Sequence, residues 1–308
     1  MKKAGMRLLI AAMIFTGCCC LLYPVYTNLV FRYYSDESRK EYEEAAAQKD
    51  AAYKEEAYAK ARIYNASLST TSLLDPFSGG SNAEADYQSY LDTLDITTVN
   101  GIDGVMGYLE IPKIGVELPI FHGTSDEVLY EGAGHMVGTS LPVGGAGTHA
   151  VLTGHTGLTD RKLFTDLTKL EIGDQFVITV LDEKLAYQVD DISVIEPTDT
   201  GWFSIDSDGD QVTLFTCTPY GINSHRLLVT GHRIAYEEVQ DAKAEPDWYM
   251  IESITAAAGL IAWLVIRSRK KRKAKCTGNR SCFVKKQTGV VVKPKVRCGG
   301  YDCSGGDG

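Results

Sequence analysis

The residue types with the clearest potential for chemistry lie together in the segment 212–233, VTLFTCTPYGINSHRLLVTGHR. Cys217 is the only cysteine outside the two ends of the chain. Two stretches rich in β-branched and aromatic residues flank a loop that contains Pro and Gly, a pattern typical of an antiparallel hairpin. A pairing that sets Phe215 opposite Leu228 continues two residues further. There it sets Cys217 opposite Arg226, and directly opposed residues share a face of the sheet.

An arginine opposite a cysteine has a chemical consequence. The guanidinium lowers the pKa of the thiol and so favours the thiolate, which is the nucleophilic form. The same group can hydrogen-bond the oxyanion of an acyl intermediate. We therefore expect Cys217 to be a nucleophile and Arg226 to be its partner. The alternative, a buried structural cysteine near a surface arginine, stays open because free cysteine is often part of a core.

A histidine is the second requirement for acyl transfer through a thioester, because an imidazolium can protonate the departing amine. His155 follows the strand-like run Ala150–Thr153, as Cys217 follows its own strand. If the two strands lie parallel, their C-terminal ends meet at one edge, and the intervening chain is long enough for the crossover. Geometry decides between candidate bases. The competing histidines are His122, His135, His149, His225 and His232.

The central part of the chain has the texture of a β-barrel. From Val105 onward, short apolar runs alternate with Pro and Gly, which predicts many short strands and a closed or nearly closed barrel. A short helix is expected near Asp160–Leu170. Besides the two strands of the hairpin, the predicted strands are Thr148–Thr153, Gln175–Leu181 and Leu185–Ile195.

Charge and hydropathy point to a membrane. Residues 1–7 carry 3 basic and no acidic side chains, residues 267–308 carry 13 basic and 2 acidic, and residues 8–266 have a net charge of −23. Apolar runs lie where the net charge changes sign, at Leu8–Leu22 (extendable to Phe31) and at Trp248–Ile266. About 20 apolar residues span a bilayer, so each run is a candidate membrane helix. By the positive-inside rule, both termini are cytoplasmic and the acidic middle is extracellular. A cleaved signal peptide and a buried helix are the alternatives for the first and second run.

These patterns divide the chain into segments. The segment 32–104 reads as a helical spacer, dense in Ala, Glu and Lys, that lifts a domain off the membrane and includes a loop at 70–82. The predicted parts are the cytoplasmic N-terminus and first transmembrane helix (1–31), the helical spacer (32–104), the catalytic barrel (105–240), the second transmembrane helix (248–266) and a basic cytoplasmic tail (267–308).

The tail carries four cysteines whose spacing is loosely zinc-like but has no CxxC pair. We expect a basic tail lying on anionic lipid in preference to a metal site, because clustered Lys and Arg beside a span favour that surface. No cofactor, metal or nucleic-acid partner is predicted. The tail cysteines are Cys276, Cys282, Cys298 and Cys303.

Two of these motifs carry a resemblance to a known family. The hairpin TLFTCTPYGINSHRLLVTGHR resembles the signature of the sortases, thiol transpeptidases of Gram-positive bacteria, and LTGHTG resembles their histidine motif. The resemblance runs from about Gly107 to Ile234. It implies a mainly β fold, an eight-stranded sortase-type barrel with short helices. It also implies that Cys217 is the nucleophile, His155 the general acid and base, and Arg226 the residue that positions substrate and stabilises the oxyanion.

A third motif, LLDPFSGG, resembles the lid of class C, pilin-polymerising sortases. The resemblance implies that Asp75, Pro76 and Phe77 cover the active site, with Asp75 near an active-site arginine and Phe77 near Cys217. An ion pair at an exposed mouth contributes only about 0.2–1 kcal/mol. On that assumption the lid opens readily.

The resemblance implies a reaction and its partners. A pilin precursor with an LPxTG-like sorting signal is cleaved between Thr and Gly, and the Cys217 thioester is resolved by a lysine of another pilin, giving an isopeptide bond. A single cysteine without a disulfide partner suits this chemistry outside the cell. The alternatives are a sortase that anchors proteins to cell-wall peptidoglycan, and a membrane protein that binds sorting signals without catalysis.

Overall fold

The computed structural model describes residues 2–68, 75–78, 87–158, 160–236 and 248–278. The chain divides into two compact units, one made of residues 1–22 and 248–308 and the other of residues 23–247. The helices are α1 (Lys2–Gln48), α2 (Ala51–Ser67), α3 (Tyr87–Leu91), α4 (Asp126–Glu131) and α5 (Trp248–Gly278), with short 3-10 segments at Pro76–Ser78, Pro112–Ile114 and Thr165–Lys169.

Both predicted apolar runs lie in helices. Within the described residues, Leu9–Gln48 is the one helix long and apolar enough to cross a membrane. This finding indicates anchoring near the N-terminus. The apolar part of α5, Ile251–Leu264, is shorter than the roughly 20 residues that a bilayer requires. The second span therefore stays a prediction.

The larger unit is built on one closed sheet. Its strands are β1 (Thr97–Val99), β2 (Ile102–Ile111), β3 (Val116–His122), β4 (Ala133–His135), β5 (Thr148–Thr153), β6 (Gln175–Val180), β7 (Glu183–Ile195), β8 (Asp210–Thr218) and β9 (His225–Ile234). They are ordered β1-β2-β3-β4-β5-β8-β9-β7-β6, and β2 also pairs with β6. That last pairing closes β2–β9 into an eight-stranded barrel, with the short β1 added beside β2. The predicted mainly β barrel is confirmed.

The helical segment before the barrel packs on it, which differs from the expected spacer. Tyr42 of α1 and Tyr58 of α2 are buried in the same apolar cluster as the barrel interior. The Tyr58 hydroxyl donates to the Val180 carbonyl at 2.7 Å. The spacer reading followed from the charged face of these helices. Their Ala and Tyr stripe buries against the strands, so the segment is part of the catalytic unit.

The Tyr42 hydroxyl hydrogen-bonds backbone groups at an irregularity in β2. The register of β2 with β3 shifts between Val105 and Gly107, which leaves Met106 outside the ladder. The Tyr42 hydroxyl donates to the Met106 carbonyl at 3.0 Å and accepts from the Leu181 backbone N–H at 2.8 Å. One phenol therefore satisfies two backbone groups that the sheet leaves unpaired.

Both described ends of the segment around the lid are fixed to the barrel. At the end of α2, Asn65 donates to the Leu141 carbonyl at 3.1 Å and accepts from the Leu141 N–H at 2.7 Å. In α3, the buried Tyr90 hydroxyl bonds His135 Nδ1 at 2.9 Å and accepts from the Gly123 N–H at 3.0 Å. The lid residues thus lie between two attachment points on the barrel.

We predict that Tyr42→Phe lowers the free energy of unfolding by about 1–3 kcal/mol, because it leaves buried backbone groups without a partner. The measurement is urea unfolding of the full-length protein in detergent, followed by tryptophan fluorescence. The matched control is Tyr236→Phe, on a tyrosine that is 43% exposed. Its effect should stay within about 0.5 kcal/mol. Equal stability of the two variants would contradict this role for Tyr42.

Candidate active site

Cys217 lies near the end of β8, opposite Arg226 at the start of β9. The same antiparallel register sets Phe215 opposite Leu228, so the predicted hairpin pairing is confirmed. Cys217 is a free cysteine and is 8% exposed. The hairpin alone therefore brings the thiol and the guanidinium to one face of the sheet.

His155 reaches the same edge through a parallel pair. β5 pairs in parallel with β8, with Thr153 opposite Phe215. The Gly154 N–H donates to the Phe215 carbonyl at 3.1 Å, and the Thr216 hydroxyl donates back to the Gly154 carbonyl at 2.6 Å. These bonds fix the chain immediately before His155 against the chain immediately before Cys217.

The residue before His155 must be small. A Cβ at Gly154 would lie 2.7 Å from the Phe164 ring, so only glycine fits without displacing that ring. The other histidines make their bonds elsewhere: His122 to the Gly104 and Thr93 carbonyls, His135 to the Ser140 carbonyl, His149 to the Ser204 carbonyl, His225 to the Ser224 hydroxyl, and His232 to Asp190. The described geometry thus favours His155 among the candidate bases.

Asp75 of the lid makes a bidentate ion pair with Arg226. The Arg226 Nε and Nη2 atoms donate to the two Asp75 carboxylate oxygens at 2.8 and 2.6 Å. The side chains of Asp75 and Arg226 are only 4% and 7% exposed, so the expectation of a pair at an exposed mouth is wrong. The Arg226 Nη1 donates to the carbonyls of Asn223 and His225. The guanidinium is thereby held in place from both sides.

Phe77 covers the site beside this ion pair. Pro76 starts the short 3-10 turn Pro76–Ser78, which carries Phe77 inward. The Phe77 ring centroid lies 5.4 Å from that of His155 and 6.2 Å from that of Phe215. The Arg226 guanidinium lies 5.3 Å from the same ring. The predicted lid residues are therefore gathered over the candidate catalytic ones.

The floor under Phe77 is a second apolar cluster, which we call the groove cluster. It contains Met136, Val151, Phe203, Phe215 and Leu228, with Phe77, Ile195, Trp202 and Ile205 packed against it. Trp202 lies 5.3 Å from Phe215 between ring centroids. The sequence analysis missed Trp202 and Phe203, although two adjacent aromatics in a Gly-flanked loop were a signal that could have drawn attention to them.

Solved structures share this fold and much of this sequence. Sortase C from Streptococcus pneumoniae is 44% identical, with a TM-score of 0.58 over 65% of this chain and 97% of that one. The pilus-related sortase C of Group B Streptococcus is 42% identical, with a TM-score of 0.57 over 64% of this chain and 97% of that one.

The chain belongs to the sortase family. The family model of the sortase domain matches residues 109–234, which hold the barrel from the end of β2 onward and all the candidate catalytic residues outside the lid. Sortase D from Bacillus subtilis (strain 168) is 30% identical over 131 residues, or 42% of this chain. The chain spans 63% of the length of that relative.

The closed lid changes the ionisation that the sequence predicted for this sortase. Burial raises the pKa of the Cys217 thiol to about 11; the Arg226 charge lowers it, and the Asp75 charge raises it. Burial also lowers the pKa of His155, against an opposing effect of Asp126. At neutral pH the resting pair is therefore a neutral thiol and a neutral imidazole. The expected thiolate is therefore not the resting form, chiefly because the thiol is buried, and the Asp75 charge adds to this effect.

In the part of the chain that the structure describes, no three His, Cys, Asp or Glu side chains cluster in a way that could hold a metal ion. This observation does not cover the four tail cysteines. Cys276 is in α5, whose side chains are not described there, and Cys282, Cys298 and Cys303 lie outside the described residues.

We predict that Asp75→Asn lowers the pKa of Cys217, because it removes a nearby negative charge and frees the Arg226 charge to act on the thiol alone. Each unit by which the pKa falls raises the thiolate fraction at pH 7 about tenfold. The measurement is the rate of iodoacetamide labelling at Cys217 against pH, read by peptide mass spectrometry. The midpoint should move to lower pH, and the rate at pH 7 should rise by a measurable factor of about two or more.

The matched control is Asp190→Asn, which removes an exposed carboxylate paired with His232. Its labelling profile should equal that of the parent. An Asp75→Asn profile that also equals the parent's would show that the ion pair does not control the thiol.

Proposed function

We propose that this sortase is a membrane-anchored cysteine transpeptidase that cleaves an LPxTG-like sorting signal between Thr and Gly and joins pilin subunits by an isopeptide bond. The observation that carries the proposal is the convergence of Cys217, His155 and Arg226 at one barrel edge, under a lid fastened by Asp75. The sequence similarity to a pilus-related sortase C, and to a sortase C described for its pilin substrate specificity, supports the choice of pilins.

In the first half of the proposed reaction, Cys217, His155 and Arg226 form the acyl-enzyme. When Asp75 leaves, Arg226 keeps its positive charge beside Cys217 and favours the thiolate, so the thiol proton passes to His155. The Cys217 sulfur then attacks the Thr carbonyl carbon, and Arg226 donates hydrogen bonds to the oxyanion. The Thr–Gly C–N bond breaks as the His155 imidazolium protonates the departing glycine amine. A thioester on Cys217 remains.

The second half reverses these roles. A lysine amine of another pilin attacks the thioester carbonyl, and neutral His155 takes the proton that the amine loses. The C–S bond breaks, the Cys217 thiolate is released, and an isopeptide bond joins the two subunits. No ATP is required, because the energy of the cleaved peptide bond is retained in the thioester.

The experiment that tests the proposal incubates the full-length protein in detergent with an LPxTG-type peptide and searches for a thioester adduct by mass spectrometry. We expect an adduct whose mass ends at the Thr residue, more of it with Phe77→Ala, and none with Cys217→Ala. Arg226→Lys should slow its formation by about 10²–10³, because lysine does not reproduce the donors that stabilise the oxyanion.

The control for that variant is Arg233→Lys on the same strand, outside the groove cluster, which should react at the parent rate. If neither the parent nor the Phe77→Ala variant forms an adduct but both bind the peptide, the protein is a sorting-signal binder without catalysis. Release of the adduct by a peptidoglycan-type amine and not by a pilin lysine would favour cell-wall anchoring.

We propose further that the chain crosses the membrane twice, with the barrel outside the cell and both termini in the cytoplasm. The acidic middle and the basic ends support this topology. With a C-terminal epitope tag, protease added to intact protoplasts should digest the barrel and leave the tag protected. Loss of the tag in intact protoplasts would contradict the second span.

A further inference from the structure

Thr153 carries a buried hydroxyl that has no hydrogen-bond partner among the described residues. The residue is 0% exposed, and its Oγ1 is one of four buried side-chain atoms in the described part of the chain that make no hydrogen bond. The other three atoms belong to Asn28 and Arg39 of α1 and to Tyr108 of β2, and none of these residues is in the groove cluster. Buried hydroxyls are normally bonded, so an unpaired one calls for an explanation.

The hydroxyl-bearing side chain is on the groove face of β5. Val151, two residues earlier on the same strand, belongs to the groove cluster. The parallel register sets Thr153 opposite Phe215, which belongs to that cluster as well. Residues two apart on a strand, and residues in register on neighbouring strands, share one face of the sheet. Thr153 therefore lies on the same face of the sheet as the groove cluster and Cys217.

Thr153 is close to the reacting atoms without touching them. It is in register with the residue two positions before Cys217, so strand spacings place the two Cα atoms roughly 8 Å apart. Thr153 is the last residue of β5, and His155 follows two positions beyond it. A group at that position contacts a bound peptide beside the scissile bond, not at it.

The lid lies beside this hydroxyl in the closed state. Phe77 packs on His155 and Phe215, which are the groove-face neighbours of Thr153 along its strand and across to β8. An aromatic ring over these neighbours offers the hydroxyl no good acceptor. When Phe77 leaves, a peptide that takes its place over His155 and Phe215 lies beside Thr153.

An extended peptide in this groove brings backbone N–H and C=O groups that need partners, since unpaired buried groups are unfavourable. The groove cluster is apolar and supplies almost none. The Thr153 hydroxyl can donate to a carbonyl or accept from an N–H.

We propose that Thr153 Oγ1 is a hydrogen-bonding subsite for a backbone peptide group of the sorting signal, beside the scissile bond, and that the closed lid leaves it unpaired. This inference rests on the proposed function. It makes Thr153 a positioning residue that contributes to the capture of extended peptides. Valine has nearly the same shape and suits a strand equally well, so packing alone does not require the hydroxyl.

The test measures peptide binding without chemistry, in the full-length protein in detergent carrying Cys217→Ala and Phe77→Ala. The probe is a fluorescein-labelled LPxTG-type peptide, and its Kd is read by fluorescence anisotropy. Adding Thr153→Val should raise the Kd about five- to tenfold, the effect of one lost hydrogen bond. Thr153→Ser, which keeps the hydroxyl, should leave the Kd within about twofold.

A second measurement addresses the unpaired state. In the otherwise unaltered full-length protein, Thr153→Val should keep or raise Tm, by up to about 2–4 °C, because it removes a buried polar group that has no partner. The matched control is Thr213→Val on β8, whose hydroxyl bonds His149 and Thr230 at 2.8 Å each. That variant should lower Tm and leave the Kd unchanged.

The outcomes separate the two hypotheses. If the parent background binds the peptide and Thr153→Val binds it equally well, the subsite is overturned and the proposed function stands. If the parent background does not bind, the proposed function and the subsite fall together. A Tm loss in Thr153→Val as large as that in Thr213→Val would overturn the claim that the hydroxyl is unpaired at rest.

Discussion

The parallel pairing of β5 with β8 is the constraint on which the site depends. A hairpin can bring Cys217 to Arg226 through local chain reversal, but His155 is more than sixty residues away in sequence. The two strands point the same way and are in register from Thr148 with Asp210 to Thr153 with Phe215. Both therefore end at the same barrel edge, where loops can carry chemistry on a rigid support.

One arginine serves two anions at this edge. Arg226 binds the Asp75 carboxylate at rest and lies opposite Cys217, and in the mechanism we propose it stabilises the thiolate and the oxyanion once that carboxylate departs. Burial makes this competition stronger than it would be in water, since charges interact more strongly where water is excluded. In the closed state Phe77 packs over His155 and Phe215, and burial, with a smaller contribution from the Asp75 charge, raises the pKa of the thiol.

The helices before the barrel give the lid its fixed frame. α2 ends with Asn65 bonded to Leu141, and α3 holds Tyr90 against His135, so the lid segment starts and finishes on the barrel. Opening then requires breaking the Asp75 pair and the Phe77 packing, without detaching either flanking helix. A helical segment that stood apart from the barrel would not position Asp75 and Phe77 so closely over the groove.

The sequence by itself determined what depends on local pattern. Short apolar, β-branched and aromatic runs between Pro and Gly predicted the strands and the hairpin of Cys217 with Arg226. The apolar run predicted the N-terminal helix, and the motifs around Cys217, His155 and Asp75 indicated the family. The tertiary structure alone decided the rest. Which histidine meets the thiol depends on pairing between distant strands, and the placement of Trp202 and Phe203 depends on loop packing. The pKa of Cys217 depends on desolvation by the residues packed around it. The burial of the Asp75–Arg226 pair and the unpaired hydroxyl of Thr153 depend on the same packing between distant segments. None of the three can be read from the neighbours of a residue along the chain.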